Sequence, residues 1–200
     1  MQDKIAAKGE RRQNMKESGL IRMDEVGRIT LPAEMRKVLK LDKERVVELY
    51  IEKNKLIIKK YSPMSSLSKF SARLAKAAGD IAGAVCFVCD TTKILDCSSE
   101  IFAEMQNKKI SEELLSVINS GEPSLINASD GGKLFPLCEG FTFDYRAIAA
   151  LPVIKDKMPV GCLVLAACGE RDVFSDNEIT VLKICRELVL SALESGDGDK

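Results

Sequence analysis

Two hundred residues with 46% hydrophobic and 30% charged side chains allow one or two globular domains. No apolar run approaches the ~18 residues of a membrane span, and the polar start of the chain lacks the apolar core of a signal peptide, so a cytoplasmic protein is expected. The sequence holds no histidine, which excludes a Ser-His-Asp triad, a Cys-His pair and histidine-ligated metal.

The formal net charge of zero hides a split. Residues 1–61 carry 16 Lys/Arg against 10 Asp/Glu, whereas residues 62–200 carry 14 against 20. A basic N-terminal part on an acidic remainder suits nucleic acid at one end only.

In chain order, residues 1–14 are polar and read as a flexible extension. Residues 19–23 and 28–31 are short strands on either side of Asp24-Glu25-Val26-Gly27, a turn-like cluster. Pro32 opens a short helix, since its missing N–H has no intrahelical partner at a helix start. Met35, Val38 and Leu39 give that helix an apolar side, and Arg36 and Lys37 lie off it. Residues 46–51 and 56–59 form a hairpin with Lys53-Asn54-Lys55 at its turn. A domain over 15–61 is too small to bury a secure core and has no cysteine, so a partner subunit is expected to complete it.

Residues 62–66, rich in serine and with Pro63, read as a linker. A helix follows over 67–78, with Leu67, Phe70, Leu74 and Ala77 on one side. Residues 84–89 form a strand apolar on both faces, as in a covered sheet, and 94–97 form the next strand. A helical region spans 101–118 and ends at Gly121-Glu122-Pro123. Leu125-Ile126 is a short strand, and 127–140 is a loop. Two long strands, 145–154 and 160–167, flank Lys155-Asp156-Lys157-Met158-Pro159. Ser175 caps a last helix over 176–193, with Glu178 at capping-box spacing. Val181 and Ile184 widen its apolar stripe beyond what one domain needs, so part of it is expected to meet a second copy. Residues 196–200 read as a disordered tail. The class is α+β.

Several chemical readings compete with plain packing. Cys86 and Cys89 have CxxC spacing, but residues three apart in a strand point to opposite faces, so two core cysteines are the better reading. The seven cysteines are expected reduced and packed as small apolar residues. Asp130-Gly131-Gly132 reads as a turn rather than a phosphate cradle, because no strand–glycine loop–helix context surrounds it. Neither cofactor nor metal is expected, and no catalytic constellation marks an enzyme.

The stretch 19–61 resembles the AbrB-type swapped-hairpin DNA-binding domain of bacterial transition-state and sporulation regulators. The resemblance is carried by Gly-Leu-Ile-Arg at 19–22, Asp24-Glu25-Val26-Gly27-Arg28, Leu31-Pro32-Ala33-Glu34-Met35-Arg36-Lys37 and Leu56-Ile57-Ile58-Lys59-Lys60-Tyr61. It implies two chains interlacing their hairpins into one β-barrel whose basic face meets double-stranded DNA. Carried over by position, the DNA contacts are Arg22, Arg28, Arg36 and Lys37. The chain is one residue shorter than the family pattern between Gly19 and Gly27, so Arg22 falls in either of two positions, which face opposite ways. The element order of 67–195, with the strand pair Ala149-Ala150-Leu151-Pro152-Val153-Ile154 and Pro159-Val160-Gly161-Cys162-Leu163-Val164-Leu165, resembles a GAF domain. This two-part layout is that of the family's stage V sporulation branch. It implies a nucleoid-associated transcription regulator of sporulation genes, a homodimer or dimer of dimers. It also implies an unidentified small-molecule effector, with residues 127–145 near the pocket. The alternative reading is an antitoxin-like protein-interaction module built on the same barrel.

Overall fold

A computed structural model describes residues 20–39, 41, 47–141, 143–168 and 171–195. The expected extension 1–14, the start of the first domain over 15–19 and the tail 196–200 lie outside the described residues. The chain divides into two units, residues 1–61 and 62–200.

In the first unit, α1 (Ala33–Val38) precedes the antiparallel pair β1 (Val47–Glu52) and β2 (Lys55–Lys60). Pro32 stands at the N-cap of α1, one residue ahead of the expected position, and its carbonyl accepts the first helical bond from the Arg36 amide at 3.0 Å. The β1–β2 turn is tighter than expected. Lys53 and Asn54 alone make it, at φ 45° and 64°, and Lys55 is already paired with Glu52. Positive φ at both central residues is the two-residue turn whose twist matches that of the strands. Among the described residues, 20–23 and 28–31, expected as strands, form no ladder. The Asp24 amide bonds across the turn to the Arg28 carbonyl at 3.0 Å, and the Gly27 amide to the Asp24 carbonyl at 3.0 Å. A strand needs a neighbouring edge to satisfy its backbone, and the described residues bring none to these two segments.

The second unit is built on a five-stranded antiparallel sheet in the order β4-β3-β7-β6-β5. Its strands are β3 (Val85–Asp90), β4 (Ile94–Cys97), β5 (Ser124–Asn127), β6 (Ala147–Lys155) and β7 (Met158–Ala166). Helices α2 (Ser68–Ala82) and α4 (Asp176–Ser195) cover one face, where Leu74, Ala78, Leu182 and Val189 pack on Cys86, Val88, Leu163 and Leu165. On the other face Leu114 and Ile118 of α3 (Glu112–Ser120), together with Met105 and Leu137, pack on Phe87, Cys89, Ile148 and Val164. The two-residue strand period thus sends Cys86 to one core and Cys89 to the other. Both faces are covered, which is why β3, β6 and β7 are nearly continuous apolar runs.

Residues 62–66, expected as a linker, belong to this fold. Pro63–Leu67 is a 3₁₀ turn with Pro63, Met64 and Leu67 buried. The Ser62 hydroxyl donates to Asp90 at 2.9 Å, and the same carboxylate accepts the Thr92 and Lys93 amides at 2.6 and 2.7 Å. The expected helical region 101–118 is two elements: a 3₁₀ segment, Glu100–Met105, and α3. Asn107, at φ 65°, separates them.

Candidate nucleic-acid interface and ligand cavity

The turn at 24–27 is held by one carboxylate. Asp24 Oδ1 accepts the amides of Val26 and Arg28 at 3.0 and 2.8 Å, and Oδ2 accepts Arg28 Nε at 2.8 Å. Gly27, at φ 84°, supplies the left-handed position that closes the bend. The Arg28 amide and guanidinium hold the Asp24 carboxyl below its ordinary value, so the anion is the resident form. The bond through Nε holds the guanidinium against the turn. The Arg28 side chain is 77% exposed.

Arg22 and Arg28 lie on the two arms of this turn, and both are exposed. Arg36 and Lys37 are exposed in the last turn of α1, where cations match the helix dipole. Their adjacent positions point about 100° apart, so the pair spreads over a face. On the hairpin, Lys59 Nζ lies 2.9 Å from Glu48 and 5.2 Å from the Tyr50 ring centre, which occupies that cation locally. The apolar residues beside these cations are exposed as well: Leu20, Met23, Val26, Val38, Leu49, Ile51 and Leu56 are all more than half exposed.

In the second unit a cavity of about 230 Å³ is lined by Leu134, Phe135, Pro136, Leu137, Phe141, Phe143, Asp144 and Tyr145. It falls within the stretch 127–145 expected to border a pocket. Asn127 does not line it. Its amide instead clasps Phe174, accepting that residue's N–H at 2.8 Å and donating to its carbonyl at 3.1 Å. The loop that lines the cavity is strapped down by the Ser111 amide on the Leu137 carbonyl at 3.0 Å and the Glu139 amide on the Lys109 carbonyl at 2.8 Å. The Tyr145 hydroxyl donates to the Phe135 carbonyl, and burial pushes its pKa up to about 12. Sequence reasoning did not single out the ring cluster behind this wall: Phe143 is centred 4.6 Å from Phe102, 4.9 Å from Tyr145 and 5.7 Å from Phe87. The alternation Phe141, Phe143, Tyr145 was the available signal.

The thiols are placed for packing. Burial raises Cys86, Cys97, Cys138, Cys162 and Cys185 above the ordinary thiol value and Cys168 to about 11, which favours the unreactive protonated form. Among the described residues there is no cluster of metal-ligating side chains, and no helix is long and apolar enough to cross a membrane.

The comparisons with known proteins divide the chain as the fold does. A family model described as antidote-toxin recognition MazE, bacterial antitoxin, matches residues 24–66. The transition state regulatory protein AbrB of Bacillus subtilis is 40% identical over 50 residues, 24% of this chain and 52% of that protein. Stage V sporulation protein T of the same organism is 29% identical over 153 residues, 76% of this chain and 84% of that protein. Among solved structures, the GAF domain of an Acinetobacter phosphoenolpyruvate-protein phosphotransferase is 15% identical. The likeness covers 67% of this chain and 86% of that one, with a TM-score of 0.54. A methyl-accepting chemotaxis protein segment is 10% identical, covering 66% and 90%, also with a TM-score of 0.54. The first of these likenesses shows a GAF-type fold for the C-terminal part. A model of the stage V sporulation protein T C-terminal domain, transcription factor, matches residues 66–191. Joining an AbrB-type N-terminal domain to that GAF-type domain, the chain belongs to the stage V sporulation protein T family of transcription factors.

Proposed function

We propose that this protein is a DNA-binding transcriptional regulator of sporulation genes, working as a homodimer or dimer of dimers. Two chains interlace their N-terminal hairpins into one barrel. Arg22, Arg28, Arg36 and Lys37 then meet double-stranded DNA, and the GAF-type domain oligomerises and binds a small effector. The observation that carries this reading is the state of the first unit. Leu20, Met23, Val26, Val38, Leu49, Ile51 and Leu56 stand exposed, and among its described residues only Leu41 is a buried hydrophobic. So much exposed apolar surface on one small unit marks a protein–protein contact, and a second copy has the complementary strand edges. Basic side chains bind phosphate by charge and counterion release, and arginine can also pair bidentately with guanine.

The test is duplex DNA binding by wild type and by Arg28→Ala, Arg36→Ala and Lys37→Ala, each checked as a folded dimer by sedimentation. Each variant is expected to bind more weakly, by about 1–3 kcal/mol where an arginine reads a base. Unchanged affinity in all three would remove these residues from the interface.

The match of residues 24–66 to an antitoxin domain favours a second reading, a protein-interaction module on the same barrel. A second unit with its own sheet and cores, beginning at residue 62, follows the N-terminal unit here, and that supports the regulator. Stoichiometric co-purification of a small toxin-like protein, with no DNA binding, would reverse the preference.

A further inference from the structure

The cavity of residues 134–145 has a composition that selects its occupant. Six of its eight lining residues are apolar: Leu134, Phe135, Pro136, Leu137, Phe141 and Phe143. Of the two polar ones, Tyr145 already spends its hydroxyl hydrogen on the Phe135 carbonyl, and Asp144 is an exposed carboxylate at the rim. Among the described residues, none that lines the cavity carries positive charge. An anion entering here would give up hydration without a cation to replace it and would face the Asp144 charge. A ring would meet Phe143 and Tyr145, which belong to a run of tilted aromatic contacts at centroid distances of 4.6 to 6.4 Å. The volume of about 230 Å³ exceeds the roughly 150 Å³ that accommodates benzene in an engineered apolar cavity.

We propose that this cavity takes a small aromatic molecule that carries no negative charge. The proposal rests on the effector-binding reading of the GAF-type domain and narrows it. A nucleotide, a phosphate ester or a carboxylate is the wrong class for this wall, whereas a neutral ring or a ring bearing an amine fits it. The amine would stand toward Asp144 and the ring toward the phenyl groups, where a cation beside an aromatic face is also favoured.

The test uses the full chain and three probes that share one ring: indole, tryptamine and indole-3-acetate. The protein has no tryptophan, so the indole fluorescence of each probe can be followed directly. Indole and tryptamine are expected to bind, and indole-3-acetate to bind about tenfold more weakly or worse. Asp144→Lys changes an exposed rim residue and should reverse the order of the two charged probes. Preference for the acetate by wild type would overturn the proposed class while leaving a ligand site in place. An unreversed order in the variant would locate the rings elsewhere and overturn the assignment to this cavity. Binding of none of the three by a protein with a normal thermal transition would overturn the aromatic site. DNA binding measured on the same sample would show separately whether the regulator reading stands.

Discussion

Asp24 gives the sharpest prediction at the scale of single residues, because two physical accounts disagree about its sign. If charge alone governs DNA binding, removing a carboxylate next to Arg28 should tighten the complex. If Asp24 aims Arg28, the same change should weaken it. Its carboxylate makes three bonds, two to backbone amides and one to Arg28 Nε at 2.8 Å. Asp24→Asn retains an oxygen that can accept the amides and loses the ion pair. We expect weaker DNA binding by this variant, read by fluorescence anisotropy at fixed salt, and tighter binding would show that Asp24 is only a nearby charge. Glu178 is a structural counterpart in the second unit. Burial raises its pKa, but the Ser175 amide and hydroxyl and the Arg171 guanidinium outweigh that and hold it below its ordinary value. Its contribution to stability is therefore present above the ordinary carboxylate range and is lost as pH falls through the lowered value. The capping box was visible in the sequence as Ser175 and Glu178 three residues apart. The ion pair with Arg171 was not, since spacing carries no information on a partner seven residues away across a loop.

Among the elements, the sequence was most informative where the strand period was clean and least where a chain alone cannot complete the element. The β3 alternation placed Cys86 and Cys89 in different cores, as the period requires. The β6–β7 hairpin was visible, but its strands run further into the turn than composition suggests, while both stop short at their far ends. Only Asp156 and Lys157, at φ 50° and 63°, form the turn, and Pro159 sits inside β7 opposite Ile154, next to a register shift. Proline reads as a strand breaker, and the bulge that tolerates it leaves no separate mark in the sequence. The break at Asn107 was hidden for a related reason: apolar spacing on both sides continues as if one helix ran through. Residues 20–23 and 28–31 form no ladder among the described residues, and in the proposed dimer their partners come from the second copy. At this scale Gly161 is the decisive position. A Cβ there would lie 2.3 Å from the Cys89 carbonyl oxygen and 2.9 Å from Met64 Cγ, between β3 and the buried 3₁₀ turn. Gly161→Ala should force these apart and destabilise the second unit by about 1–3 kcal/mol. Thermal unfolding should shift down by several degrees for a chain of this size, and an unchanged midpoint would mean that the β3–β7 approach is looser than described.

For the molecule as a whole, the charge divides between the two units. The basic residues stand in a unit whose apolar side chains are exposed, and the acidic remainder carries two complete cores. The first unit thus leaves its apolar side chains exposed and the second does not, so in the proposed regulator DNA binding depends on assembly of the N-terminal parts. The family and the two-domain layout were readable from the motif around Arg28 and Leu31-Pro32. The cavity was not readable in detail, because its wall is assembled from a loop whose side chains acquire a common direction only after the sheet forms. We propose that the assembled basic face holds DNA by its phosphates. The most direct measurement is the salt dependence of duplex binding by the full-length protein, taken on wild type and Arg36→Ala. With about 6–10 phosphates contacted, wild-type affinity should fall by roughly 10³–10⁵ between 50 and 200 mM salt. The slope of the logarithmic plot for Arg36→Ala should be shallower by about one. A slope near zero, or an identical slope in the variant, would contradict the claim.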